Sequence, residues 1–224
     1  MMMTRRLVSL VLLGSVAVSA ASAEKARKPK PPRQADAYEM KDTHEQERVT
    51  IAAEPGDEKQ TAPDTRLNYF EHGMMPIRVI VTNHSDRTLT LEDARIDFIA
   101  ADNTKVQAAT PEDLDRRMFE LKQVKPKTIP LPAPLPSIHY HSKPVNTKIL
   151  ADEEDFSFKT TTVKPQQTVA GYLFYDMEGL EQPPLKGATL ELRRVRWKEE
   201  GAEGAVLQSF EIGLRPSAKN KDTK

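Results

Sequence analysis

The stretch that decides the fold is PIRVIVTNHSDRTLTL, which runs from Pro76 to Leu91. Apolar and polar positions alternate in its first half, where the apolar set is Ile77, Val79 and Val81. An alternation with a period of two is the signature of a β-strand. A polar turn at Asn83–Asp86 precedes a second alternating run, TLTL. The stretch therefore predicts two consecutive strands that form a hairpin.

Similar short runs occupy the chain from about residue 47 to residue 216. They include ERVTIAAE, ARIDFIA, TVAGYLFYD, ATLELRRVRW and VLQSFEIGL. TVAGYLFYD is apolar at both alternating sets of positions, which predicts burial on both sides. ATLELRRVRW changes phase at Arg193–Arg194, which we interpret as a β-bulge. At least seven short strands with hairpin-length turns predict an all-β, antiparallel, immunoglobulin-like β-sandwich.

One insert, at about residues 110–165, departs from this pattern. Thr110 is a suitable helix N-cap, and Pro111 suits the first helical position. Leu114, Met118 and Leu121 then form one apolar stripe, so we expect one short helix. VKPKTIPLPAPLPSIHYHSKP follows, and its five prolines between Pro126 and Pro136 disfavour helix and central strand. This proline-rich part predicts an extended surface loop.

The two ends of the chain predict export and disorder. Residues 1–23 combine Arg5 and Arg6, a short apolar run and Ala21-Ser22-Ala23, which is typical of a cleaved signal peptide. An uncleaved anchor is the alternative, although the apolar run is short for a membrane span. Residues 24–46 are basic or polar and predict a disordered linker, and residues 217–224 predict a disordered tail. We therefore expect a periplasmic or secreted domain at 47–216, with no transmembrane segment after signal cleavage.

Composition removes several classes of function. The chain has no cysteine, which excludes disulfides, thiol catalysis and cysteine-ligated metals. Loss of Arg5 and Arg6 with the signal peptide leaves 31 basic and 33 acidic residues, a net charge of −2. This balance gives no general attraction to nucleic acid.

Two sequence patterns resemble the secreted immunoglobulin-like domains of many exported bacterial proteins. The first is a turn of the form V-x-N-x-S/G-D, and the second is a loop of the form V-x-P-x-x-T-x-x-G that leads into an aromatic strand. The matching residues are Val81, Asn83, Asp86, Val163, Pro165, Thr168, Gly171 and Phe174. The resemblance covers roughly Val49 to Leu214 and implies the fold and an exported location. It leaves activity open, because such families are largely of unknown function and some are secreted antigens. Independently, Gly171 within a strand indicates a bulge or a close backbone contact.

One pattern suggests a metal site. His139 and His141 flank Tyr140 in the proline-rich part, and residues two apart in an extended segment share a side. His72 and the adjacent Met74–Met75 are candidate further ligands for copper, and zinc is the other candidate metal. Methionine before a strand is also ordinary core filler.

Other candidate sites have simpler explanations. His44-Glu45 starts like a zinc-protease motif, but Arg48 stands where the second histidine is needed. Basic residues surround Trp197, which fits either nucleic acid or glycan binding or, as we prefer, a charged edge strand. His84 is interpreted as an exposed turn residue, within an Asn83-His84-Ser85 glycosylation acceptor pattern.

These observations favour an exported, non-catalytic binding module whose partner is an envelope protein or a glycan. The proline-rich part is the expected recognition surface, because extended proline-rich chain loses little entropy on docking. Its expected contact residues are Pro130, Pro132, Pro134, Pro136 and Tyr140. A copper or zinc carrier that uses His139 and His141 is the alternative. An enzyme whose site lacks a recognisable motif is the third possibility.

Overall fold

The computed structural model describes residues 28–56, 65–120, 127–129, 138–140, 144–199 and 201–215. These ranges contain fourteen strands, two α-helices and two short 3-10 helices. None of these helices is long and apolar enough to cross a membrane. The strands are β1 (Lys41–His44), β2 (Val49–Pro55), β3 (Met74–Asn83), β4 (Leu89–Thr90), β5 (Arg95–Ile99), β6 (Lys105–Gln107), β7 (Lys127–Ile129), β8 (Ile138–Tyr140), β9 (Thr162–Val163), β10 (Gln167–Asp176), β11 (Thr189–Arg193), β12 (Arg196–Glu199), β13 (Ala202–Val206) and β14 (Phe210–Gly213). The helices are α1 (Pro111–Glu120), α2 (Pro144–Phe156) and the 3-10 turns Ala35–Ala37 and Phe70–His72.

The strands form three four-stranded sheets and one separate pair. The first sheet has the order β1-β2-β3-β10, the second β14-β11-β5-β6, and the third β13-β12-β4-β9. Strands β7 and β8 pair with each other. Every pair of named strands is antiparallel. The prediction of an all-β, antiparallel protein is confirmed.

The stretch from Pro76 to Leu91 forms two strands, but they are not a hairpin. β3 pairs with β2 along one edge and with β10 along the other. β4 pairs instead with β12 and β9 in the third sheet. Because both edges of β3 are occupied, the chain after Asn83 cannot pair with β3, and it continues in the third sheet instead. The polar turn thus connects two sheets.

One hydrophobic core lies between the inward faces of the three sheets. Ile77, Val79 and Val81 of β3 are completely buried in it, as the alternation predicts. The other sheets contribute Leu89, Phe98, Leu190, Trp197, Phe210 and Ile212. Tyr175 of β10 also lies in this core, and its hydroxyl donates a hydrogen bond to the Ile96 carbonyl at 3.1 Å. β10 is buried on both sides, as expected.

The phase change at Arg193–Arg194 marks a passage between sheets. β11 ends at Arg193 in the second sheet, and β12 begins at Arg196 in the third. Arg194 has a φ of 60°, the left-handed conformation that turns the chain. The phase change at Arg193–Arg194 is therefore a turn between two strands and not the expected bulge. A register shift does occur nearby, between Arg196 and Lys198 opposite β13.

The folded region begins earlier than the sequence predicts. The expectation of a disordered linker over residues 24–46 is wrong from Ala35 onward, where a 3-10 turn and then β1 are present. β1 pairs with β2, and the His44 ring stacks on Phe210 with centroids 3.8 Å apart. Strand β1 carries charged and polar residues at every position, so it has no apolar alternation from which a strand could be predicted.

The insert contains two helices, not one. α1 begins at Pro111 as predicted, and the Thr110 hydroxyl accepts a hydrogen bond from the Asp113 amide at 3.2 Å. α2 was not expected. Its buried positions are Ile149, Asp152 and Phe156, so an aspartate occupies the middle of the stripe that faces the protein. Because a carboxylate stands where an apolar residue is expected, the sequence does not show the apolar spacing of an amphipathic helix here.

Candidate binding surface on the outer face of the first sheet

The outer face of the first sheet is the side that points away from the core. Alternate residues of β10 point to opposite sides, so Val169 and Tyr175 enter the core while Tyr172 and Phe174 face outward. Two structures cover this outer face. The N-terminal arm, residues 28–38, lies over Ala52 and Ile80. The helices of the insert lie over the other part.

The two helices sit on a small second core. Leu114 of α1 and Ile149 and Phe156 of α2 are buried there. The surface beneath them consists of Tyr69, Met74, Tyr172 and Phe174. The Tyr69 and Phe174 rings approach with centroids 4.4 Å apart, in a tilted geometry. This packing fixes both ends of the insert to the sheet, because each helix contributes buried apolar residues.

A buried ion pair reinforces the attachment of α2. The Arg66 and Asp152 side chains are 1% and 0% exposed, and Arg66 Nη1 lies 2.9 Å from Asp152 Oδ1. The Arg66 backbone amide also donates to Asp152, and Arg66 Nη2 lies 2.5 Å from Asp155 Oδ2. Burial alone would lower the pKa of Arg66, but the bonds to Asp155 and Asp152 raise it above its ordinary value. The arginine is therefore charged and locked to the helix.

Tyr69 completes this cluster. Its hydroxyl donates to Asp152 Oδ2 at 3.2 Å. Burial, followed by the charge of Asp152, raises the pKa of Tyr69 far above its ordinary value. The phenol thus stays protonated and acts as a hydrogen-bond donor. Asp152 receives bonds from the backbone and side chain of Arg66 and from Tyr69, which satisfies a buried carboxylate.

Between the helices, the chain forms a short antiparallel pair where we expected an extended loop. Lys127 is opposite Tyr140, Thr128 opposite His139, and Ile129 opposite Ile138. The pairing holds two segments of the proline-rich part, Lys127–Ile129 and Ile138–Tyr140, next to each other. Among the expected contact residues, Tyr140 lies on β8, whereas Pro130, Pro132, Pro134 and Pro136 lie outside the described residues.

Only some of the candidate metal ligands lie among the described residues. His139 lies on β8, but His141 is outside the described residues. Met74 is buried in the second core and Met75 in the main core, so both act as apolar filler. Across the described ranges, no three histidine or acidic side chains are grouped to hold a metal ion. A site that uses His139 and His141 stays a prediction.

The arm is held by hydrogen bonds to β2 and β3. The Ala35 amide donates to Thr82 Oγ1 at 2.8 Å, and that oxygen lies 3.0 Å from Thr168 Oγ1. Asp36 accepts from the Thr50 hydroxyl at 3.0 Å and lies 2.6 Å from His84 Nε2. Burial alone would raise the pKa of Asp36, but bonding to His84 and Thr50 outweighs this and lowers it.

His84 is therefore more than an exposed turn residue. Its side chain is 30% exposed and pairs with Asp36 of the arm. Neighbouring Asn83 is completely buried, and its side-chain amide donates to the Arg87, Val163 and Lys164 carbonyls. An amide held in this way cannot accept a glycan while the protein is folded. The Asn83-His84-Ser85 pattern is explained by the hydrogen bonds that Asn83 and Ser85 form within the turn.

Trp197 belongs to the core and offers no stacking platform. The residue is 7% exposed, and the Arg87 guanidinium lies 4.4 Å from the centroid of its ring. β12 lies between β13 and β4, so our preferred interpretation of a charged edge strand is wrong. The phase of β12 directs the indole inward while Lys198 is exposed. Neither interpretation of the basic residues anticipated this placement.

A polar cleft of about 430 Å³ adjoins the start of α1. Its lining includes Thr110, Arg116, Arg117 and Asp176. Arg117 forms ion pairs with Asp176 and Glu178, and Arg116 pairs with Asp113. The charged side chains of this cleft are thus paired with one another, and the Arg117–Asp176 pair attaches α1 to the end of β10.

Comparison with known proteins gives no relative. No family model matches the chain, and no curated protein or solved structure is significantly similar to it. The function must therefore be inferred from the geometry of this chain alone.

Proposed function

We propose that the chain is an exported, non-catalytic binding module of the cell envelope or extracellular space, and that the insert is its recognition surface. The observation that carries this proposal is the buried Arg66–Asp152 pair, which fixes the insert to a rigid sheet. A recognition segment binds more tightly when its base is held in place before contact. The predicted signal peptide at residues 1–23 supports an exported location.

The proposal includes an immunoglobulin-like sandwich as scaffold. Its support is the single core shared by three antiparallel sheets, together with the Val81–Asp86 and Val163–Gly171 motifs. Sandwiches of this kind carry recognition on the segments that connect or interrupt their strands. In this chain, the insert of about residues 110–165 is the largest such segment.

Photocrosslinking in the producing cell tests the proposal. A photoreactive phenylalanine analogue replaces Tyr140 in the insert, and a matched variant carries it at Gln208, which is exposed in the loop before β14. We expect adducts from position 140 and none from position 208. Replacement of residues 127–140 by a short glycine-serine linker should retain the melting transition and abolish the interaction. Equal labelling at both positions, or an unchanged interaction after replacement, would contradict the proposal.

A further inference from the structure

An apolar recess of about 210 Å³ interrupts the wall of the main core. Its apolar lining consists of Leu91, Ala94, Ile96, Ala108, Phe158 and Leu173. All of them except Leu91 are only partly buried, although they pack against the main core. The core is therefore incompletely closed at this place. A concave and mostly apolar surface of this kind is typical of a ligand site.

The strand pattern explains why the core is open here. β10 is the edge strand of the first sheet, and β6 is the edge strand of the second. β6 pairs only with the Asp97–Ile99 part of β5, so it ends before it reaches Ile96. The Tyr175 hydroxyl of β10 donates to the Ile96 carbonyl, so β10 passes close to this uncovered end of β5. The recess thus lies between β10 and the start of β5.

Hydrogen bonds fix the walls of the recess. The Phe158 amide donates to the Tyr172 carbonyl at 2.9 Å, and this bond ties the chain after α2 to the outer edge of β10. The Ala109 amide donates to the Phe174 carbonyl at 2.7 Å, and this bond ties the chain after β6 to the same edge. The two bonds are made at the positions before and after Leu173. The recess is therefore preformed, which lowers the cost of binding a ligand.

The rim of the recess, residues 159–161, carries one positive charge. Among the described residues that line the recess, Lys159 is the only one with an ionisable side chain, and it is exposed. Thr160 and Thr161 add two hydroxyl groups. Glu92 and Asp93 are exposed on the neighbouring turn before β5, outside the lining. An apolar floor with one ammonium group at its rim suits an amphiphile with an anionic head.

The volume of the recess limits the size of the ligand. An apolar cavity of about 150 Å³ holds one benzene molecule. Pockets that bury drug-sized ligands begin at about 300 Å³. A recess of about 210 Å³ lies between these values, so it accommodates roughly six to eight carbon atoms. A long-chain lipid would leave most of its chain outside.

We infer that the recess binds a medium-chain aliphatic carboxylate, with the chain between β10 and β5 and the carboxylate at Lys159. This ligand goes beyond the proposed function, because it is additional to the partner of the insert. The two are tested separately.

The test is an NMR titration with sodium octanoate. The isotope-labelled chain from Glu24 onward contains every described residue. We expect saturable shifts of the amide signals of the lining residues, with a dissociation constant of about 0.1–1 mM. Butyrate should bind at least about tenfold more weakly, because each buried methylene group contributes about fourfold. Octylammonium has the same chain and the opposite charge, so it should also bind more weakly than octanoate.

Three variants locate the ligand. Ala108→Leu fills the recess, and we expect it to weaken octanoate binding at least about tenfold. Ala205→Leu adds the same side chain at an exposed position of β13 and should leave binding unchanged. Lys159→Gln should weaken octanoate binding by about two- to fivefold, as expected for an exposed ion pair. Melting temperatures establish that each variant is folded. The shifts of the unaltered chain test the inference even if Ala108→Leu does not fold.

Four results would overturn the inference. The first is the absence of saturable shifts with octanoate, and the second is a set of shifts confined to residues away from the recess. The third is undiminished binding by a folded Ala108→Leu variant. The fourth is equal binding of octylammonium, which would exclude the carboxylate as the recognised group. The crosslinking at position 140 decides the proposed function independently of all four.

Discussion

Gly171 of β10 lies directly against the backbone of Phe158. A Cβ atom at position 171 would stand 2.4 Å from Phe158 Cα and 2.6 Å from its nitrogen. The Phe158 amide donates to the Tyr172 carbonyl at 2.9 Å, which holds the chain after α2 along the edge of β10. The sequence prediction of a bulge or a close backbone contact is therefore resolved in favour of the contact.

Gly171→Ala is expected to destabilise the protein by about 1–3 kcal/mol, because the added methyl group forces two backbones apart. Urea unfolding measures the difference. The matched control is Gly213→Ala in β14, where a Cβ would meet nothing within 4 Å. That variant should be neutral or slightly more stable, since alanine restricts the unfolded chain. Equal effects at both positions would contradict the contact.

Asp152→Ala should cost about 3–5 kcal/mol of unfolding free energy, because it leaves the buried Arg66 without one of its two carboxylate partners. Glu154→Ala on the exposed side of α2 is the control and should change stability by less than about 0.5 kcal/mol. Replacing both members, with Arg66→Met and Asp152→Leu, should recover much of the loss. A double variant as unstable as Asp152→Ala would show that the charge pair itself is required. Urea unfolding of all variants provides the comparison.

Acid should weaken the attachment of the arm. The pKa of Asp36 is lowered in the folded protein, so its contribution to stability is present above the pKa of the unfolded chain and is lost as pH falls through the folded value. Asp36→Asn removes this contribution. We expect the variant to show a smaller loss of stability than the unaltered chain between about pH 5 and pH 3. Parallel pH profiles would contradict the role of the His84 contact.

The metal hypothesis makes a simple prediction. If His139 and His141 bind copper or zinc, metal at about 100 times its dissociation constant should stabilise the fold by roughly 2.7 kcal/mol. A thermal melt with each metal, and with a chelator, measures this shift. His139→Ala with His141→Ala should abolish it, whereas His72→Ala tests whether a third ligand is recruited. No shift with any metal would remove the hypothesis.

Much of the fold follows from the sequence because strands buried on one side leave an alternating pattern. β11 and β14 were recognisable for this reason, whereas β10, which is buried on both sides, was recognisable from its longer apolar run. β1 was not, because KDTH has no apolar position and is held by its pairing with β2. Pairing across long sequence separations is also invisible in a local pattern, so the path from β3 to β4 was mistaken for a hairpin.

The candidate binding surface was predictable only in part. Its prolines and the start of α1 are local signals. The buried ion pair that holds α2 is not a local signal, because Arg66 and Asp152 are 86 residues apart and each resembles an ordinary surface residue in the sequence. An aspartate spaced three and four residues from Ile149 and Phe156 is the one signal that could have suggested α2.

The hydrogen bonds of the arm impose an order on folding. Thr82 Oγ1 links the Ala35 amide to Thr168, which is synthesised more than 130 residues after Ala35. The arm thus cannot reach its final state on the growing chain until β10 has been made. The bonds from the Ala35 amide to Thr82 and from the Thr50 hydroxyl to Asp36 can form earlier, so the attachment of the arm is completed in two stages, the second of which waits for β10.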